Sequence, residues 1–213
     1  DNLFFEEKER VMKHVLFFQE NKEWYEKHGR PYTLGICTYG PPGCGKTSFE
    51  KALAKYLNRH LIVIDFENIK SEEELYFIFF EETLGEYRIP NHQRLYVFPD
   101  IDRTTDILYK DQYKTEKVIP IRQSSDSKMK KEKIMEKKAS SINLSQILNV
   151  FDGIMERSGQ IFIMSANHPE KLDPAILRPG RVDCKIHFRE FGMDLLKKYI
   201  TNFRSEEHTS ELQ

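Results

Sequence analysis

Apolar residues along the chain fall into short runs between charged stretches, and the spacing inside each run predicts its element. From Phe4 to Gln19, Val11, Val15, Leu16 and Phe18 recur at near-helical spacing among charges, which predicts an amphipathic helix. Gly29 and Pro31 in "YEKHGRPY" break the pattern. "TLGICTY" then reads as a short buried strand, and "SFEKALAKYL" as a helix with Phe49, Leu53 and Leu57 on one face. "LIVIDF" is a strand. Ser71 and Glu74 stand at capping-box spacing and open a helix expected to run through Leu84. "RLYVF" is a further strand, ending at "PDID". "INLSQILNVFDG" places Leu144, Ile147, Leu148 and Phe151 at i, i+3, i+4 and i+7 and stops near Gly153. "IFIMSAN" is a strand, "PAIL" a helical turn, "KIHF" a last strand, and "MDLLKKYITNF" begins one more helix. Short apolar strands alternating with helices imply an α/β fold with a parallel sheet covered on both faces. There is no internal repeat.

The 213 residues suffice for one domain with a sizeable core, or one domain and part of a second. With 39% hydrophobic and 31% charged residues and a formal net charge of -1, the balance is that of a soluble globular protein without a global polyanion-binding signal. No apolar run approaches the roughly 20 residues that span a bilayer, and no signal peptide is visible. Cys37, Cys44 and Cys184 are odd in number and lack metal-ligand spacing, so they read as free thiols in a reducing compartment. Residues 103–140 are rich in Lys, Ser and Asp, and "KMKKEKIMEKK" has little apolar content, which predicts a solvated, disordered surface insertion. Mixed acids and the lack of interleaved aromatics speak against a nucleic-acid-binding arm. The tail "RSEEHTSELQ", residues 204–213, resembles the translation of a common sequencing adaptor and is set aside from fold reasoning. The natural chain is expected to begin upstream of Asp1 and to continue beyond Phe203.

The chemistry concentrates at "GPPGCGKTS". Gly40 to Thr47 fits G-x-x-x-x-G-K-[ST], behind a predicted strand and ahead of a predicted helix, the context that confirms a P-loop. Its glycines let backbone N–H groups converge on phosphate oxygens, and the helix adds its N-terminal dipole. Gly40, Pro41, Pro42, Gly43, Cys44, Gly45, Lys46, Thr47 and Ser48 are therefore the candidate ATP-binding residues. Lys46 is expected at the β- and γ-phosphates, and the Thr47 hydroxyl on Mg²⁺. Hydrolysis needs further groups. Asp100 and Asp102 close an apolar strand, where a parallel sheet presents catalytic side chains, although such residues also form plain turns. Asn167 in "MSANHPE" could orient water or simply form a turn. Arg178 and Arg181 flank a rigid Pro-Gly turn and read as outward-facing cations or as surface ion pairs.

The P-loop, the acidic "DID", "SANHPE" and "LDPAILRPGRVD", in this order, resemble an AAA ATPase. "KEWYEKHGRPYTLG" and "LNVFDG" further resemble the subfamily of the mitochondrial inner-membrane chaperone that translocates the Rieske iron–sulfur protein, with its relatives in plants and large DNA viruses. The resemblance covers roughly residues 21–191, apart from the Lys-rich insertion. It implies a P-loop NTPase sheet of five parallel strands in the order 5-1-4-3-2, with a helical lead-in at residues 1–30, the nucleotide-binding domain at 31–191 and a truncated helical lid beginning at 192–203. It also implies catalytic roles for Asp100, Asp102 and Asn167, with Thr47 and Asp100 on the metal. Arg178 and Arg181 would be arginine fingers reaching ATP in the next subunit of a homo-oligomeric ring. The implied partner is a protein substrate whose identity is not legible. The resemblance allows the mitochondrial inner membrane, with an anchor upstream of Asp1, but the residues themselves assign no compartment.

Two positions depart from the family pattern. AAA proteins close the third strand with two adjacent acids, and the trailing "ID" aligns Pro99 with the first and Asp100 with the second. Aligning Asp100 with the first acid instead puts Ile101 at the base position. The former matches the family spacing better, and either way hydrolysis is expected to be slow while binding survives. After the second strand, "FENIKS" lacks the aromatic-apolar-Gly triplet of chain-gripping pores, so Phe66 is expected in the core. The leading function is an ATP-driven remodelling or translocating ring. The alternative is a nucleotide-gated oligomeric scaffold with little hydrolysis, as Pro99 permits. A P-loop kinase is disfavoured by the paired arginines after Asn167.

Overall fold

The structure, a computed structural model, describes residues 3–104, 144–152, 158–190 and 192–210. Five strands form one parallel sheet: β1 (Thr33–Tyr39), β2 (His60–Val63), β5 (Arg94–Phe98), β6 (Gln160–Ala166) and β7 (Cys184–His187). A separate hairpin, β3 (Thr83–Leu84) and β4 (Tyr87–Arg88), takes the two intervening numbers. The sheet order is β2-β5-β6-β1-β7. Its labels differ from the expected 5-1-4-3-2 only because the hairpin is numbered; counted within the sheet and read from the β7 edge, the strands follow that order.

Alternation along each strand divides the core into two layers. Leu34 and Ile36 of β1, Leu95 and Val97 of β5, and Ile161 and Ile163 of β6 face one side. There they meet Val11, Val15 and Phe18 of α1 (Lys8–Glu20) and Phe49 and Leu53 of α3 (Lys46–Tyr56). Tyr96, Phe98, Phe162 and Met164 face the other side, against Leu75 and Phe79 of α4 (Glu72–Phe80) and Ile147 and Phe151 of α6 (Leu144–Asp152). Full burial of each large apolar side chain stabilises the fold by about 1.5–3 kcal/mol. This is why strands covered on both faces read as nearly continuous apolar runs. Phe66 lies in the second layer, stacked on Phe98 with ring centroids 5.0 Å apart, as expected of a core residue.

Several boundaries differ from the sequence pattern. The first helix begins at Lys8 rather than Phe4. A short α2 (Lys22–Lys27) follows it, after the Asn21 side chain donates to the Phe17 carbonyl at 2.9 Å and closes α1. α4 starts at the predicted cap, where Ser71 Oγ accepts from the Glu74 N–H at 3.1 Å. It ends at Phe80, not Leu84. The cause lies at Arg94, which is fully buried and donates to the carbonyls of Ile78 (3.0 Å), Glu81 (2.6 Å) and Ile89 (2.7 Å). Those carbonyls gather around one guanidinium, so the chain leaves the helix and turns back through the hairpin at Gly85, φ 62°. α5 (Ile101–Thr104) follows β5, and α7 (Met193–Ser210) extends beyond the expected Phe203. Most of the expected insertion at 103–140 lies outside the described residues, as does Gly153. Among the described residues no helix is long and apolar enough to cross a membrane.

Arg94→Ala removes the donor from three part-buried carbonyls and leaves a cavity where the buried side chain stood. A loss of about 3 kcal/mol or more in urea unfolding is expected. Arg94→Lys should recover only part of it, because one ammonium cannot span acceptors held by a planar fork.

Candidate functional site

The site forms where parallel strands end together. β1 pairs with β6 over its whole length, from Thr33 opposite Gln160 to Tyr39 opposite Ala166. The Gly40 N–H extends that ladder by one rung to the Ala166 carbonyl, 3.2 Å. Residues leaving β1 and β6 therefore start from the same level. Gly40 is held at φ 141°, and a Cβ there would lie 1.9 Å from the Phe188 carbonyl oxygen, so no side chain fits. Gly43 and Gly45 have φ of 83° and 95°, with open space where a Cβ would stand. The loop turns sharply into α3, whose first residue is Lys46 and whose N-cap, Gly45, carries no capping side chain. The first amides of α3 and its dipole thus face outward, an arrangement suited to an anion.

Lys46 is only 7% exposed. Its ammonium donates to the carbonyls of Gly40 (2.7 Å) and Pro41 (3.0 Å) and to Asn167 Oδ1 (2.8 Å). All three partners are neutral. Asn167, just past β6, uses its other end to donate from Nδ2 to Asp100 Oδ1 at 3.2 Å. A cation on one side and a carboxylate on the other fix the orientation of this amide. Asp100 adopts φ 44°, unusual for a non-glycine residue, and its N–H donates to Ser165 Oγ at 3.0 Å. Strained backbone of this kind gathers at functional sites. Asp102 lies deeper: its Oδ2 accepts from the N–H groups of Asn167 (3.1 Å) and His168 (2.8 Å). It holds the loop that carries Asn167.

The predicted residues Lys46, Asn167, Asp100 and Asp102 thus form one connected network. The arginines stand apart from it. Arg178 is exposed, while Arg181 is half-buried and donates from Nη1 to the Ala175 carbonyl of its own turn at 2.6 Å. Beside the loop a cleft of about 450 Å³ opens between Gly40, Pro41 and Pro42 on one side and Asn167, His168 and His187 on the other. Cys37 is buried, with its thiol pushed up to about 12 by burial, and so is not a reactive group.

Glu50 and Ser165 escaped the sequence reading. Glu50 lies on α3 among core positions and is 4% exposed. Its carboxyl lies beside the Ser165 hydroxyl, and burial foremost, with the Asp100 charge adding, raises its pKa to about 7. An acid at a buried position of an amphipathic helix was the available signal.

The oxygen donors fit a hard divalent cation held together with phosphates. The Thr47 hydroxyl is exposed at the first turn of α3, and the half-buried Asp100 carboxylate stands just past β5 of the same sheet. Among the described residues no group of three or more His, Cys, Asp or Glu could hold a metal alone. Such a cation would therefore depend on phosphate oxygens for part of its shell.

The family model described as "ATPase family associated with various cellular activities (AAA)" matches residues 36–190. An Arabidopsis thaliana protein named AAA-ATPase ASD, mitochondrial, is 30% identical over 98% of this chain and 40% of its own length. The probable mitochondrial chaperone bcs1 of Schizosaccharomyces pombe is 31% identical over 92% of this chain and 37% of its own. The chain thus spans about two fifths of the length of these curated relatives.

Because the Glu50 pKa is raised when folded, the folded chain retains a proton that the unfolded chain has lost between about pH 4.5 and 7. That contribution to stability is present below pH 4.5 and is lost as pH rises through 7. Urea midpoints across this window should fall more steeply for the unaltered protein than for Glu50→Gln. Parallel curves would mean that Glu50 ionises as if exposed.

Proposed function

The chain belongs to the AAA family of ATPases, and we propose on that premise that it binds ATP with Mg²⁺ on Gly40–Ser48 and hydrolyses it within a homo-oligomeric ring that remodels or translocates a protein. The observation that carries this reading is the buried Lys46 ammonium, held by three neutral oxygens at the mouth of an uncapped helix. Phosphate supplies the charge of opposite sign that those oxygens lack. Thr47 and Asp100 would hold Mg²⁺, which would neutralise charge on the phosphates.

In this reading Asn167 orients the attacking water, Asp100 takes its proton, and Asp102 keeps the Asn167 loop in place. Arg178 and Arg181 serve ATP bound by the neighbouring subunit, Arg178 from an exposed position and Arg181 from one braced by its own turn. A protein-remodelling role is supported by the chaperone name of one relative, and a mitochondrial location by the names of both. A second reading, a nucleotide-gated scaffold with little hydrolysis, is favoured by Pro99, which brings no acceptor to the end of β5.

Turnover by the full chain distinguishes these. Arg178→Ala combined with Arg181→Ala should leave ATP binding nearly intact and lower the rate about 10³-fold or more. Mixing that variant with Lys46→Ala protein should restore part of the activity, since one subunit then offers arginines and the other an intact phosphate loop. Turnover by an isolated monomer, at a rate independent of protein concentration, contradicts action in trans. Nucleotide binding without turnover in the unaltered protein favours the scaffold.

A further inference from the structure

Glu50 stands one helical turn beyond Thr47 on α3, so the two share a face. It is 4% exposed, it lies beside the Ser165 hydroxyl, and its Oε1 has no partner among the described residues. A buried carboxylate oxygen without a donor is destabilising by about 1–3 kcal/mol, so its retention calls for a ligand. The surroundings indicate which kind. Ser165 Oγ accepts from the Asp100 N–H, so the hydroxyl beside Glu50 is the one that holds the Asp100 backbone. Phosphoryl-transfer sites of this type pair the loop hydroxyl with a further acid on the metal side. Here β5 ends at Phe98 and is followed by Pro99, whose side chain can neither charge nor accept a hydrogen bond.

We propose that Glu50 is the metal-side carboxylate of this site, supplied from helix α3 where β5 offers Pro99. It is a positioning residue: it places its carboxyl oxygens behind Thr47 and, beside Ser165, steadies the backbone at Asp100. The inference deepens the proposed ATP site and rests on it. It accounts together for an acid in an apolar helix face, an oxygen without a protein donor and a proline at the end of β5.

The test is calorimetric titration of ATP into the full chain, once with Mg²⁺ and once with EDTA. In the unaltered protein Mg²⁺ should strengthen binding. Glu50→Gln, nearly isosteric, should reduce that gain about tenfold while leaving the affinity in EDTA unchanged, which a merely structural role would not do. Adding Pro99→Asp to Glu50→Gln should restore the gain, because the acid returns from the strand. Glu50→Leu should behave as Glu50→Gln, and circular dichroism checks that each variant is folded. An undiminished Mg²⁺ gain in Glu50→Gln overturns the assignment while leaving the ATP site standing. So does a Pro99→Asp effect of equal size in both backgrounds. Absence of ATP binding by the unaltered protein overturns both.

Discussion

The seven-residue parallel pairing of β1 with β6 is the constraint from which the site follows. It sets Tyr39 level with Ala166, and the Gly40 N–H continues the ladder past the last paired residues. Because the register has no slack, the loop leaving β1 and Asn167 leaving β6 emerge side by side. A shift by one residue would turn Ile36 and Ile163 out of their layer and Cys37 and Met164 out of theirs, so the core itself enforces the alignment. The 2.8 Å bond from Lys46 to Asn167 is a consequence of that pairing. β7 adds a second restraint on the same loop: its continuation brings the Phe188 carbonyl against Gly40, and only glycine fits there.

On this frame charge is distributed unevenly. The Lys46 ammonium is satisfied by dipoles, and the negative charge lies one residue further on, at Asp100 behind Asn167. The amide of Asn167 separates the two. It keeps Lys46 and Asp100 from pairing directly, a contact that would neutralise both. A buried ion pair there would be costly to break each time nucleotide arrives. A neutral amide exchanges partners more easily. Glu50 and Ser165 form the layer beneath, where burial keeps the second carboxyl from charging freely.

Much of this was legible in the sequence, for identifiable reasons. The glycine spacing of the loop, the apolar run behind it and Lys46-Thr47 ahead of α3 each express a local requirement, so they can be read without coordinates. The network of Asn167 with Lys46 and Asp100 could be anticipated only as separate residues, since 121 and 67 positions separate the partners. Arg94 shows where local reading stops. Its sequence neighbourhood says strand, and its side chain binds a helix carbonyl sixteen residues earlier. Glu50 did carry a signal, an acid on the apolar face of α3, outweighed by the many charges of that helix. The hairpin at Gly85 did carry a signal, a Gly-X turn between short β-formers, outweighed by the apolar run of α4.

In the proposed function, Lys46, held by three neutral oxygens, would exchange Asn167 for phosphate. The most direct measurement is a crystal structure of the full chain with Mg²⁺ and a non-hydrolysable ATP analogue. The expected result has the phosphates along the amides of Gly43 to Thr47, Lys46 Nζ moved from Asn167 onto the β- and γ-phosphates, and the Asn167 amide facing the γ-phosphate. Nucleotide bound elsewhere, with the Lys46–Asn167 bond unchanged, would contradict it.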